Sequence, residues 1–113
     1  MELTRHDELE PFTTKDGSTI RELMRTERQT LAEATLNPGQ ATDRHYHGEA
    51  EELYAIGRGG GLLEVDGEVR DVRAGDTILI PPGAWHTLTA GPAGVRLLCC
   101  CVPPYSHDDT FFA

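Results

Sequence analysis

The chain has 113 residues, a formal net charge of −9 and hydrophobic residues at 38% of its positions. This length allows one domain, and no apolar run approaches the ~20 residues that a membrane span needs. Because 19 acidic residues face only 10 basic ones, the surface repels phosphate backbones and anionic lipids, so we expect no nucleic-acid or membrane partner.

Two further features predict a cytoplasmic protein. The first ten residues are rich in charge and lack the apolar segment of a secretory signal. The cysteines are the consecutive Cys99, Cys100 and Cys101. Neighbouring side chains on a strand point to opposite faces, so this arrangement predicts no structural disulfide and is typical of a reducing compartment.

The first third of the chain predicts an arm followed by strands. Residues 1–12 are charged and are predicted to form an N-terminal arm, and strands are predicted over 19–24 and 31–36. A helix over 20–33 is the alternative, because Arg, Glu, Leu and Met favour helices. The threonines of this segment and its lack of an apolar stripe favour strands instead.

The rest of the chain alternates between short strands and turns. A strand over 53–56 leads into the glycine-rich segment 57–61, and Asp66-Gly67 predicts a hairpin turn. Further strands are predicted over 77–80 and 95–102, each ended by prolines. About eight to ten strands at this spacing predict an all-β sandwich or barrel.

Three histidines and a nearby carboxylate form the motif with the most chemical content. His45 and His47 are two residues apart, so on a strand both imidazoles face the same side. A carboxylate follows at Glu51 or Glu52, and His86 comes directly after a tight Pro-Pro-Gly turn. Three imidazoles and one carboxylate suit one divalent transition metal ion (Fe, Mn, Ni, Cu or Zn) better than Ca²⁺ or Mg²⁺.

The spacing of these residues resembles the motifs of the cupin superfamily. The first motif, G-x5-H-x-H-x3,4-E-x6-G, is matched by Gly39, His45, His47, Glu52 and Gly59. The second motif, G-x5-P-x-G-x2-H-x3-N, is matched by Gly75, Pro81, Gly83 and His86, with Ala90 in place of the last Asn. The resemblance covers about residues 30–102. It implies a double-stranded β-helix (jelly-roll) barrel whose metal ligands are His45, His47, Glu52 and His86.

The resemblance also separates the two adjacent glutamates. Only Glu52, and not Glu51, leaves the six intervening residues that the motif has before Gly59. Strand alternation then points Glu52, Tyr54 and Ile56 into the barrel. Tyr54 is therefore a candidate hydrogen-bonding acid near the metal, with simple packing as the alternative.

The same alternation applies to the last long strand. Arg96 is expected to face solvent, which turns Val95, Leu97, Cys99 and Cys101 inward. Two thiols in positions i and i+2 can reach a soft metal or a redox partner. The alternative is that both cysteines act as small buried hydrophobic residues.

Both ends of the chain resemble a narrower, mostly uncharacterised subgroup of small single-domain cupins. The resemblance lies in the start Phe12-Thr-Thr-Lys-Asp-Gly and in the end Cys-Cys-Cys-Val-Pro-Pro-Tyr-Ser-His-Asp-Asp-Thr. Labels given to this subgroup, such as "mannose-6-phosphate isomerase-like", reflect a shared barrel, and a shared fold does not imply a function. The predicted organisation is an arm over 1–12, a cupin barrel over 13–104 and a tail over 105–113.

These observations predict a metal-dependent enzyme, a dioxygenase or an isomerase/lyase, that acts on a small polar molecule such as a sugar or a short organic acid. The alternative is a non-catalytic small-molecule or metal-binding/sensor module, with the histidines structural or a relic. We expect a homodimer, because cupin-like barrels usually pair and a domain with a thin core gains by covering an exposed sheet face.

Overall fold

The computed structural model describes residues 1–113 and contains nine strands and two single-turn 3₁₀ helices. The strands are β1 (Phe12–Thr13), β2 (Thr19–Arg25), β3 (Thr30–Leu36), β4 (His45–His47), β5 (Glu51–Val65), β6 (Glu68–Arg73), β7 (Thr77–Ile80), β8 (His86–Val102) and β9 (Thr110–Phe112). The 3₁₀ helices span His6–Glu8 and His107–Asp109. Neither has the length or the apolar character that a membrane crossing would require.

Two long strands organise the barrel. β5 and β8 pair antiparallel along their whole length, from Glu51 opposite Val102 to Val65 opposite His86. All nine strands belong to one curled sheet. The first half of β5 and the second half of β8 lie in one half of it with β1, β2, β3 and β7, whereas their other halves lie with β4, β6 and β9. The curled sheet is the all-β jelly-roll barrel that was predicted.

Several predicted strands are confirmed. β2 and β3 form a hairpin where the helix over 20–33 was the alternative. β7 covers the predicted residues 77–80. The β5–β6 turn has positive φ at both central residues, 48° at Asp66 and 87° at Gly67, which is the conformation that a tight two-residue hairpin needs.

The predicted strand over 53–56 is longer than expected, because β5 continues unbroken through the glycine-rich segment Gly57–Gly61. Here the backbone lies unusually close to its neighbours. A Cβ on Gly61 would overlap the Thr89 carbonyl, and one on Gly60 would overlap the Val72 carbonyl. The glycines therefore allow close approach of three strands at the bend of the barrel, rather than a break between strands. The last long strand likewise starts at His86 and not at residue 95.

The last residues of the chain contribute a strand that the sequence pattern did not indicate. β9 pairs with β4, placing Thr110 opposite His47 and Phe112 opposite His45. β9 thereby flanks the two histidines and carries a hydroxyl to the His47 side chain.

The core follows the predicted alternation of faces. Glu52, Tyr54 and Ile56 are buried, whereas Leu53 between them is 45% exposed. On β8, Arg96 is exposed between buried neighbours. The apolar core comprises Ala34, Leu36, Tyr54, Ile56, Leu63, Val72, Ile80, Ala84, Leu88, Ala90, Val95 and Leu97. A polar cluster is buried in the barrel beside this core.

Candidate metal centre

The four residues singled out by their spacing converge at one point inside the barrel. His45 and His47 project from β4, Glu52 from the start of β5 and His86 from the start of β8. The backbone brings them together because β4 and β8 pair with His45 opposite His86. One potential ligand atom from each residue lies within 4.8 Å of the others, and none of the four residues is more than 5% exposed.

The Nδ1 atom of each histidine donates a hydrogen bond to a group outside this cluster. The acceptors of the Nδ1 protons are the Asp43 carbonyl for His45 (2.7 Å), the Thr110 hydroxyl for His47 (3.1 Å) and the Ala84 carbonyl for His86 (2.9 Å). The Thr110 hydroxyl gives its own proton to the Ser106 carbonyl at 2.8 Å and is therefore free to accept. A proton held on Nδ1 leaves the Nε2 lone pair of each neutral imidazole available for a metal.

The atoms that face the centre of the cluster are hydrogen-bond acceptors with no proton between them. Glu52 Oε1 lies 2.9 Å from His47 Nε2 and 3.3 Å from His86 Nε2. Both Glu52 Oε1 and His86 Nε2 are buried without a hydrogen-bond partner, a state that is costly unless a cation lies between them. Imidazole nitrogens and a carboxylate oxygen are suitable ligands for a divalent transition ion, so the three histidines and Glu52 fit such an ion.

The electrostatics of the cluster also favour a positive charge there. Burial would raise the pKa of Glu52, but the imidazoles of His47 and His86 outweigh it and hold that pKa well below its usual value. Burial would lower the pKa of His86, but the Glu52 carboxylate raises it above its usual value. Burial, with the nearby His86, lowers the pKa of His45. The Glu52–His86 pair therefore attracts a cation, either a proton or a metal ion.

The second carboxylate oxygen of Glu52 is held by two thiols. Cys99 Sγ donates to Glu52 Oε2 at 2.9 Å and Cys101 Sγ donates to the same atom at 3.3 Å, with 3.8 Å between the sulfurs. The contact with Cys101, burial and the charge of Glu52 raise the pKa of Cys99 well above its usual value. The Cys99 thiol therefore stays protonated, and both thiols act as hydrogen-bond donors to Glu52, which is more than the role of small hydrophobic residues.

A cavity opens from this cluster to the surface. Its lining combines apolar side chains such as Leu36, Leu88 and Leu97 with the polar side chains of the cluster. Tyr54 lines the cavity, as the strand alternation predicted. Burial and the charge of Glu52 raise the pKa of Tyr54 well above its usual value, so its hydroxyl stays protonated and can donate to a ligand.

Two site residues were missed by the sequence reasoning. Asp16 lies between the predicted arm over 1–12 and the predicted strand over 19–24, yet its Oδ2 lies 3.8 Å from His45 Nε2. Thr110 orients His47 from the end of the chain. Neither residue has a local spacing signal, because each reaches the cluster only through the closure of the barrel. The other carboxylate, Glu51, is exposed and points away from the cavity.

Comparison with known proteins identifies relatives over most of the chain. A family model described as "Cupin domain" matches residues 32–101. The Uncharacterized protein MJ1618 of Methanocaldococcus jannaschii is 44% identical over 113 residues, covering 95% of this chain and 90% of that protein.

Two enzymes match smaller parts of the chain. Gentisate 1,2 dioxygenase 1 of Aquipseudomonas alcaligenes is 35% identical over 49 residues, which is 43% of this chain and 14% of that enzyme. Dimethylsulfoniopropionate lyase DddW of Ruegeria pomeroyi is 36% identical over 66 residues, which is 58% of this chain and 43% of that enzyme. This chain therefore spans less than half the length of either enzyme.

The fold is shared with solved structures. The structure of KdgF from Halomonas sp. superimposes with a TM-score of 0.85 at 17% sequence identity, covering 96% of this chain and 97% of that chain. At this identity the likeness shows the common barrel and carries no information on the reaction.

Proposed function

Because the chain belongs to the cupin family, we propose that it is a metal-dependent enzyme, a dioxygenase or an isomerase/lyase, acting on a small polar molecule such as a sugar or a short organic acid. The observation that carries this proposal is the convergence of three imidazole nitrogens and one carboxylate, with every Nδ1 proton turned away. The two partial relatives, a dioxygenase and a lyase, support this range of reactions.

In this proposal one divalent transition ion (Fe, Mn, Ni, Cu or Zn) is held by His45, His47, Glu52 and His86. Four protein ligands leave one or two positions of a six-coordinate ion for a substrate. When bound, such an ion polarises a substrate oxygen or, if it is redox-active, supports chemistry with dioxygen.

The residues of the chain would contribute orientation, exclusion of water and proton donation. Cys99 and Cys101 fix the carboxylate of Glu52 by donating to its outer oxygen. Apolar side chains such as Leu36 and Leu97 line the cavity and lower its polarity, which strengthens hydrogen bonds inside it. Tyr54 can donate its proton in a hydrogen bond to a substrate oxygen, because its raised pKa keeps it neutral.

We further propose that the protein is cytoplasmic and a homodimer. Exposed apolar side chains form a patch on the outer face of the β3–β8–β5–β7 sheet: Leu31, Leu53, Leu79, Leu98 and Val102. The strand register aligns Leu79, Leu53 and Leu31 in one row through Cys100. An apolar row across the centre of a sheet suits a second copy of the chain, and its burial stabilises a pair of barrels.

Metal analysis of the protein purified without added metal tests the proposed function. We expect about one transition ion per chain, which Glu52→Gln or His45→Ala should abolish. Glu51→Gln is the matched control, since its carboxylate faces solvent one residue away. A folded wild-type protein that stays empty after incubation with Fe²⁺, Mn²⁺ and Zn²⁺ would instead favour the non-catalytic binding module.

A further inference from the structure

A second carboxylate, that of Asp16, lies beside the proposed metal centre and is not a member of the proposed ligand set. Asp16 is in the β1–β2 turn, its side chain is 19% exposed, and its Oδ2 is 3.8 Å from His45 Nε2. All the hydrogen bonds that the carboxylate receives go to the other oxygen, Oδ1. They come from the Thr14 hydroxyl (2.6 Å), the Ser18 hydroxyl (2.6 Å) and the Ser18 amide (2.9 Å).

The turn that carries Asp16 is fixed to the mouth of the barrel. The Gln40 side chain donates to the Gly17 carbonyl at 2.7 Å, and the Asp43 amide donates to the Asp16 carbonyl at 2.8 Å. The carbonyl of Asp43 in turn accepts the Nδ1 proton of His45. Asp16 is therefore held in a defined position relative to His45, with Oδ2 directed to the cavity and free to accept.

The cavity lining is acidic, because it contains three carboxylates and neither Lys nor Arg. Glu52 belongs to the metal cluster. Glu22 is neutralised by Arg25, whose guanidinium donates to both carboxylate oxygens at 3.0 Å and 3.2 Å. Asp16 is left as the one lining carboxylate with neither a cationic partner nor a place in the proposed ligand set. No cationic side chain in the lining is available to bind a carboxylate or a phosphate of a ligand.

We propose that Asp16 determines the substrate class, selecting an uncharged hydroxyl-bearing ligand over an anionic one. The inference rests on the proposed function and narrows it to the sugar-like class. The charges of Asp16 and Glu52 together balance those of a divalent ion, so the loaded site has no surplus positive charge to attract an anion. A ligand hydroxyl beside the ion can donate to Asp16 Oδ2, whereas a ligand carboxylate in the same place is repelled.

Two ligands of nearly equal shape test this selection. Hydroxyacetone is neutral, and glycolate replaces its methyl group by a charged oxygen. Binding of each to the Co²⁺-loaded full chain is followed by the visible spectrum of the ion and by the amide resonance of Ser18. In Asp16→Asn the side-chain oxygen can still accept from Thr14 and Ser18. We expect this variant to lower the dissociation constant of glycolate relative to that of hydroxyacetone by roughly tenfold or more.

Glu22→Gln is the control and should leave the ratio unchanged, because Arg25 already neutralises that carboxylate. Asp16→Ser removes the same charge with a smaller side chain and must move the ratio in the same direction, so a folding defect of one variant cannot decide the outcome. A ratio that stays within about twofold of wild type in loaded Asp16 variants overturns the inference alone. A wild-type chain that binds no Co²⁺ overturns the proposed function and this inference with it.

Discussion

The carboxylate of Glu52 shows how single residues around the site act through one another. One oxygen faces two imidazoles while the other accepts from two thiols. Groups that orient a metal ligand in this way typically change metal affinity by 10–100-fold when removed. In the proposed metal centre, the inward thiols of β8 therefore act as donors to the proposed ligand Glu52.

The first prediction concerns the closer of these donors. Cys99→Ala should weaken metal binding by roughly tenfold or more, because Glu52 loses its 2.9 Å hydrogen bond. Cys99→Ser should bind more tightly than Cys99→Ala, since a hydroxyl also donates. Competition with a chelator of known affinity measures both constants. The control is Cys100→Ala on the outer face, and equal affinity in all three variants would contradict the orienting role.

Side-chain contacts attach the N-terminal segment to strands β2 and β3 of the barrel. The Thr4 hydroxyl donates to the Leu23 carbonyl on β2 at 2.7 Å. His6 Nε2 lies 2.9 Å from Glu33 of β3, and Arg21 contacts the same ring. The contacts with Glu33 and then Asp7 raise the pKa of His6, although Arg21 opposes them.

The second prediction is that attachment of the arm depends on pH. Because the pKa of folded His6 is raised above its ordinary value of 6.5, the contact stabilises the folded arm fully below that pH. Its contribution disappears as the pH rises through the raised pKa. NMR titration of the His6 ring measures the pKa directly, and Glu33→Gln should lower it. An unshifted His6 in the wild-type chain would refute the contact.

The glycine segment of β5 provides the third prediction, at the level of one strand. Gly61→Ala should lower the free energy of unfolding by about 2–3 kcal/mol, because the added Cβ overlaps the Thr89 carbonyl and forces two paired strands apart. Gly57→Ala is the matched control, since its Cβ would meet the Arg96 carbonyl at an ordinary 3.7 Å. Urea denaturation compares the two, and equal stabilities would disprove the close approach.

The fourth prediction belongs to the whole molecule and tests the proposed dimer. Leu53, at the centre of the apolar row, is 45% exposed, while Leu62 on the other half of the curled sheet is 49% exposed. Leu53→Lys should convert the protein to a monomer in light scattering, because a charge would be buried in the apolar interface. Leu62→Lys should leave the dimer intact. A wild-type protein that is already monomeric would rule out this interface.

At the scale of the barrel, local sequence patterns located most of the candidate site. Two-residue alternation is a property of any strand, so it predicted that His45 and His47 share one face and that Glu52 and Tyr54 share one face. The resemblance to the cupin motif then selected Glu52 over Glu51 and so fixed which face points inward. The Asp66-Gly67 turn could also be predicted from the local sequence, because its conformation depends only on two residues with positive φ.

Only the tertiary structure decided three other features. They are the positions of Asp16 and Thr110, the continuity of β5 through its glycines, and the hydrogen bonds between the thiols and Glu52. Each of these features joins residues far apart in the chain, such as Glu52 and Cys99 on paired strands. Such contacts arise when β5 and β8 bend together and the sheet closes. No local periodicity encodes that register. The sequence by itself therefore determined which residues of the predicted strands share a face, and barrel closure determined which of them meet and which residues outside those strands join them.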